Sequence, residues 1–276
     1  MEDIFSIISD KLQALENWFS SRKGSIVAFS GGIDSTLVLF FARKYQGKEN
    51  VVAVISNSES LKQRDFQEAK AFCEQFDIKL EVIVTKELAD ERYNQNPVNR
   101  CYFCKEHLFH DLTGICNKYP GFEVLSGTNA NDLGDYRPGL DAAKKFQVQS
   151  PMVDCNISKI DLRQIAKYFQ LPNWNKPASP CLSSRIPYHQ SVTLKKLKQI
   201  EAAEEMLNSY GFDDVRVRHY GSYCKIEVHK EDIEKLNLIQ NEVFYKITAL
   251  GFDYCEIDFE GLVSGKMNRV LTKIKQ

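Results

Sequence analysis

The chain has 276 residues, enough for one large domain or two modest ones, and 43% of them are hydrophobic against 26% charged. Its 17 Phe and 12 Tyr supply a core, which excludes a disordered chain. Its 36 Lys and Arg against 37 Asp and Glu leave it near neutral, which argues against a partner as polyanionic as nucleic acid. Met1 to Phe19 mixes Glu2, Asp3, Asp10, Lys11 and Glu16 into apolar residues. That is the pattern of an amphipathic helix, not of a secretion signal. No apolar run is long enough to span a bilayer, so a cytoplasmic protein without a membrane partner is expected. Ser25 to Phe29 reads as a buried strand, and after Ser30-Gly31-Gly32 a helix is expected over Asp34 to Tyr45. Strands follow at Val51 to Ile55, Leu80 to Val84 and Glu123 to Leu125, with helices over Leu61 to Phe76 and Tyr102 to Tyr119. Gly127 to Gly139 reads as a loop, Val148 marks a short strand, and a helix from Ser158 to Phe169 has Ser158 as its N-cap.

This alternation predicts an α/β fold with a parallel sheet over 1–170, covered on both faces. Pro172, Pro177, Pro180 and Pro187 make 171–190 a connector. Beyond it, a helix over Thr193 to Tyr210, strands at Val215 to Arg218 and Lys225 to Val228, a helix over Glu231 to Leu250 and a strand at Tyr254 to Phe259 suggest a smaller α+β domain over 191–276.

Eight Cys without a secretion signal argue against a disulfide framework. Cys73, Cys116, Cys155, Cys224 and Cys255 stand alone among apolar residues and read as small buried hydrophobes. Cys101-x-x-Cys104, just before a helix, and Cys181, in the connector, are of another kind. His189, His219 and His229 have no spacing that demands a metal.

The most informative stretch is Ala28-Phe29-Ser30-Gly31-Gly32-Ile33-Asp34-Ser35-Thr36. A strand ends, two glycines turn the chain, and the first amides of a helix face an anion. No lysine follows the glycines, so the loop is not of the Walker type. Asn57-Ser58-Glu59 follows the second strand, where Ser58 either meets a ribose or adenine or belongs to a plain turn with Ser60 capping the next helix. Gly127 opens the loop after the fourth strand, and Arg137 either pairs with phosphate or pins that loop together with Asp135. Arg216 and Arg218 are two apart on a strand and face the same way. They suit an anion, or they form a solvated face paired with Glu227.

Ser30-Gly-Gly-x-Asp-Ser35 resembles the signature of the PP-loop ATP pyrophosphatases, whose fold is adenine nucleotide alpha-hydrolase-like. These enzymes cleave ATP between the α- and β-phosphates. The resemblance implies ATP and Mg²⁺ at Phe29, Ser30, Gly31, Gly32, Asp34, Ser35, Thr36, Ser58, Gly127 and Arg137, with Asp34 catalytic. Asp135 to Leu140, Asn173-Trp174-Asn175-Lys176, Ser183 to Tyr188, Val215 to Arg218, and Gly261, Ser264, Gly265, Met267 and Asn268 narrow it. They resemble the LarE-type sulfur transferases of nickel-pincer cofactor biosynthesis. That family adenylates a carboxylate of a pyridinium-dicarboxylate mononucleotide, and sulfur then displaces AMP. The resemblance implies Ser184, Arg185, Arg216 and Arg218 at the substrate, with Glu204 and Glu227 near that pocket.

In one branch of the family a connector cysteine directly after Ala-Ser gives up its own sulfur. Here Pro180 intervenes between Ala178-Ser179 and Cys181. The pair Cys101 and Cys104, which that branch lacks, appears as well. The resemblance to the cluster-dependent branch implies a [4Fe-4S] cluster on Cys101, Cys104 and Cys181, with Cys181 catalytic and a sulfide donor as partner. Sacrificial Cys181, a zinc site completed by His107, a redox dithiol and unrelated core thiols stand as alternatives. A tRNA thiolase and an ammonia-using ligase are the competing functions. A homo-oligomer is left open.

Overall fold

The computed structural model describes residues 2–134, 137–263 and 265–270; Asp135, Tyr136 and Ser264 lie outside them. In chain order come α1 (Glu2–Ser20), β1 (Ser25–Ala28), α2 (Ile33–Gln46), β2 (Val51–Ser56), α3 (Gln63–Gln75) and β3 (Lys79–Ile83). They are followed by α4 (Glu91–Asn94), α5 (Arg100–Cys116), β4 (Glu123–Leu125), α6 (Gly139–Lys145), α7 (Pro151–Asp154) and α8 (Lys159–Tyr168). The remainder is α9 (Leu194–Ser209), β5 (Arg216–His219), β6 (Tyr223–Glu227), α10 (Ile233–Leu238), α11 (Gln240–Thr248) and β7 (Tyr254–Ile257). No helix of the described residues is long and apolar enough to cross a membrane.

The chain forms two compact units, Met1–Glu87 with Cys101–Ser179, and Leu88–Arg100 with Pro180–Gln276. In the first, four strands lie parallel in the order β3-β2-β1-β4. The middle strands are apolar apart from Ser25 and Ser56 at their ends, because helices cover both faces. Ile26, Ala28, Val52 and Val54 face Phe109, Leu112 and Ile115 of α5 and Ala142 and Ala143 of α6. Val27, Ala53 and Ile55 face the other way, into a core with Leu15 and Phe19 of α1, Leu37 and Phe41 of α2, Phe72 of α3 and Ile165 of α8. β3 is an edge strand; its Glu81 is tied to Lys118 and Tyr119, a charged finish that blunts an open edge. α8 starts in a capping box, with Ser158 Oγ accepting from Asp161 N at 3.2 Å and Asp161 accepting from Ser158 N at 2.9 Å. The strand expected near Val148 is a single bridge, Leu125 to Gln149, because Pro151 starts α7 at once.

The order 3-2-1-4 makes β1 the switch point: the chain leaves β1 toward β2 on one side and returns to β4 on the other. Parallel strands put the loops after β1, β2 and β4 at one edge, where α/β sheets take ligands.

In the second unit, β5 and β6 are antiparallel, β6 and β7 parallel, and α9, α10 and α11 pack Leu207, Leu236, Val243 and Ile247 onto Val217, Cys224 and Ile226. The helix expected over Glu231 to Leu250 is two, broken at Ile239, whose φ −111° and ψ 11° leave the α region. Leu88–Arg100 joins this unit through backbone and amide bonds. Val192 N donates to Asn94 O at 2.7 Å, His189 N to Asn96 O at 2.9 Å, and Asn96 Nδ2 to Pro187 O at 2.7 Å.

Candidate functional site

β1 ends at Ala28, and Phe29 N still donates to Val54 O at 2.8 Å, so the turn begins from a fixed point. Gly31 takes φ +72°, a conformation that costs glycine nothing. Ser30 and Ser35 close the turn. Their hydroxyls are 3.0 Å apart, and Ser35 Oγ donates to Gly32 O at 3.1 Å and accepts Ser30 N at 3.1 Å. Gly32 is the N-cap of α2 and makes no side-chain cap, so the first amides of the helix are not consumed by a capping side chain.

The loop after β4 lies directly on that first turn. A Cβ on Gly127 would sit 2.6 Å from Ser35 N and 2.9 Å from Asp34 C, so only glycine fits. From this loop Asn129 Nδ2 donates to Asp34 Oδ1 at 2.6 Å. Asp132 caps Asn129 N at 3.2 Å and pairs with Arg137 at 2.7 Å and Lys159 at 3.4 Å. Asp34 is half-buried. Burial pushes its carboxyl above the ordinary carboxylate range and nearby Asp132 adds to this, while the Asn129 bond holds it back. Arg137 thus pairs with Asp132 of its own loop, while Asp135, its partner in the loop-pinning reading, lies outside the described residues.

Ser58 is buried, with its hydroxyl 3.1 Å from that of Ser60. Ser60 does not cap α3, whose N-cap is Lys62 without a side-chain bond. Thr36 Oγ1 accepts Asn173 Nδ2 at 2.8 Å from the segment after α8. That segment also sends Lys176 to Asp65 at 2.7 Å and Glu68 at 2.5 Å, and Ser179 to Asp65 at 2.7 Å. A cavity of about 430 Å³ opens beside the loop, lined among others by Phe29, Gly31, Thr36, Phe72 and Asn173.

Cys101 and Cys104 lie within the first two turns of α5 in the first unit, not just before it, three residues apart and so on one helical face. Cys101 is exposed and Cys104 half-buried. Cys181 belongs to the second unit, where it is half-buried and caps the short turn Leu182–Arg185. Among the described residues, neither unit holds a group of three or more His, Cys, Asp or Glu converging as a metal site.

The arginines expected at a substrate are in the second unit, and all are buried. Arg185 is 0% exposed and forks onto Glu204, Nε to Oε1 at 2.8 Å and Nη2 to Oε2 at 3.1 Å. Its Nη1 donates to Pro180 O at 2.5 Å, Cys181 O at 3.2 Å and Ser184 Oγ at 2.9 Å. Arg218 donates to Glu227 Oε2 at 2.7 and 2.9 Å and to Ser184 O at 3.0 Å. Arg216 pairs with Asp214 at 2.5 Å, and burial together with nearby Arg185 lowers its pKa. On the β5 face Arg218 is therefore paired with Glu227 and Arg216 with Asp214, and the face is interior, not solvated. Asn129, in the Gly127-Thr128-Asn129 stretch that resembles a nucleotide-contacting one, reaches Asp34, whereas Asp132 and Asn173 have contacts at the loop that the sequence does not announce.

Comparison with known proteins agrees with this geometry. Residues 2–102 match the NAD synthase family, which covers the phosphate loop. A protein of unassigned function from Synechocystis is 39% identical over 97% of this chain and 100% of its own length. The pyridinium-3,5-bisthiocarboxylic acid mononucleotide synthase of Lactiplantibacillus plantarum is 37% identical over 90% of both chains. An NH(3)-dependent NAD(+) synthetase of Thermococcus kodakarensis is 34% identical over 34% of this chain and 35% of its own. The NAD synthase match takes in the loop and the first three strands, whereas the synthase match extends over nine-tenths of each chain, so this chain belongs to the LarE-type family of PP-loop enzymes, the family of that synthase.

Proposed function

We propose that the protein is an ATP-dependent sulfur transferase of nickel-pincer cofactor biosynthesis, acting on a pyridinium-dicarboxylate mononucleotide in the cytoplasm. The single observation that carries this is the synthase likeness along 90% of the chain, over a strand–turn–helix loop that has no Walker lysine. A substrate carboxylate oxygen attacks the α-phosphorus of ATP, and pyrophosphate leaves. Sulfide then attacks the acyl carbon, AMP leaves, and a thiocarboxylate remains. The carboxylate becomes a good acyl donor only because its oxygen is joined to phosphorus in a mixed anhydride, from which AMP can leave.

In this reading Ser30, Gly31, Gly32, Ser35 and Thr36 receive the phosphates through amides and hydroxyls. Phe29, Ser58 and Gly127 border the nucleotide. Asp34, oriented by Asn129, holds Mg²⁺ or orients the phosphate chain. Ser184, Arg216 and Arg218 meet the anionic substrate, the two arginines by exchanging part of their pairing with Asp214 and Glu227 for it. Arg185 works through its neighbours, because its guanidinium is spent on Glu204 and on the carbonyls of Pro180 and Cys181.

For the sulfur source we favour a [4Fe-4S] cluster on Cys101, Cys104 and Cys181. Two of its three thiols support this: they share a helical face at the start of α5, one exposed and one half-buried, and thiolates are the usual ligands of such clusters. When bound, the cluster supplies a sulfide carrier with one iron free of protein ligands. Iron and sulfide measured in anaerobically purified protein, with intact-chain mass after turnover, test this. The expected result is bound iron, many turnovers per chain, and loss of both colour and sulfur transfer in Cys101→Ala, Cys104→Ala or Cys181→Ala while ATP still binds. Iron-free protein that stops after one turnover with dehydroalanine at position 181 contradicts the cluster and assigns the sulfur to Cys181 itself.

A further inference from the structure

The segment after α8 carries Asn173, whose side chain reaches the phosphate loop within the same unit. Its Nδ2 donates to Gly31 O at 3.2 Å and to Thr36 Oγ1 at 2.8 Å. A backbone carbonyl only accepts, so the amide must present its NH₂ there. Its Oδ1 is buried without a hydrogen-bond partner among the described residues, at the wall of the cavity beside the loop.

The bond to Gly31 O has a consequence across the peptide plane. A trans peptide is planar, with the carbonyl of Gly31 and the N–H of Gly32 on opposite edges. Holding the carbonyl toward Asn173 turns the Gly32 N–H to the other side, where it meets Ser30 Oγ at 3.4 Å. That is the side on which successive amides of such a turn gather an anion. Without the clamp, glycine's freedom at φ +72° allows this peptide to rotate and present its carbonyl instead.

Asn173 is itself fixed. Lys176, in the same turn, pairs with Asp65 and Glu68 of α3, and Ser179 Oγ donates to Asp65 at 2.7 Å. The same first turn of α3 backs the loop: Asp65 O lies 3.3 Å from where a Cβ on Gly31 would stand. Loop, helix and connector turn thus form one triangle of contacts.

We infer that Asn173 is a positioning residue for ATP: it holds the Gly31–Gly32 peptide with its N–H facing the phosphates and fixes the Thr36 hydroxyl. The inference rests on reading this loop as the ATP site. If the peptide is free to rotate, only a fraction of molecules is competent to bind, and apparent affinity falls by that fraction. Asn173→Ala therefore raises the KM and the calorimetric Kd for Mg·ATP about tenfold, with kcat at saturating ATP nearly unchanged.

Asn173→Asp gives a readout that a merely structural role does not move. The carboxylate cannot donate to Gly31 O, but the protonated acid can. Relative to wild type at each pH, the Asp variant recovers ATP affinity as pH falls toward about 5, where the carboxyl begins to protonate, whereas the Ala variant does not. Unchanged Kd and KM in Asn173→Ala, or an Asp variant whose deficit is flat with pH, overturns the inference. Asp34→Ala separates the layers. If it loses adenylation while Asn173→Ala behaves as wild type, only the positioning role falls. If Asp34→Ala binds and uses ATP normally, the reading of the loop falls and the inference with it.

Discussion

His219 shows how one buried side chain sets a pH limit on the second unit. Its Nδ1 accepts from Gly221 N at 3.1 Å, and its Nε2 lies 3.2 Å from Gln199 Oε1, so the neutral ring with Nε2–H satisfies both. Burial, with Lys196 and Lys195 nearby, lowers its pKa from 6.5 to about 4. A folded-state pKa below the unfolded one means that the unfolded chain binds the proton more readily. Stability is therefore full above pH 6.5 and lost as pH falls toward 4, by roughly 3 kcal/mol. Urea unfolding of the intact chain across that range should show this slope, and His219→Gln should lack most of it. Equal slopes in both proteins assign the acid sensitivity elsewhere. The buried arginines obey the same arithmetic of desolvation. Arg185 and Glu204, 0% and 2% exposed, are tolerable only together, since removing one partner strands the other charge at about 3–5 kcal/mol.

At the scale of elements, the site is a junction between the start of α2 and the loop after β4. Gly127→Ala puts a methyl within 3.0 Å of three backbone atoms of α2, none of which can rotate away. The β4 loop must lift, which costs about 1–3 kcal/mol. It also draws Asn129 off Asp34, so adenylation should fall by more than stability alone explains. A Gly127→Ala protein with wild-type Tm and wild-type pyrophosphate release contradicts this packing account. The alternation of apolar strands and amphipathic helices was legible in the sequence because a covered parallel sheet imposes it. The six-residue loop was legible because its glycines and hydroxyls are adjacent in the chain. Asn129 stood out through its Gly-Thr-Asn stretch, but its partner did not, nor did the role of Asn173, because these depend on which carboxylate or carbonyl lies across a gap of 95 or 142 residues. The burial of Arg216 and Arg218 was hidden for a related reason: alternation on a strand says which residues share a face, not what covers it.

At the scale of the molecule, the chain builds two units that are not continuous in sequence. Leu88–Arg100 leaves the first after β3 and bonds to 183–192 of the second. Those bonds are largely made by backbone groups and by Asn96, which leave no periodic signature, so no reading of composition could place the segment. Both units matter to the account: the phosphate loop, Cys101 and Cys104 belong to the first, and Cys181 and the arginines to the second. The measurement that tests the central claim most directly follows nucleotide and product together. Intact protein, prepared without oxygen, is given ATP, Mg²⁺, a sulfide donor and pyridinium-3,5-dicarboxylate mononucleotide. The account predicts AMP and pyrophosphate in equal amounts, each matched by one thiocarboxylate, and none of these products from Asp34→Ala. ADP and phosphate, or AMP formed without sulfur entering the pyridinium acid, would contradict it.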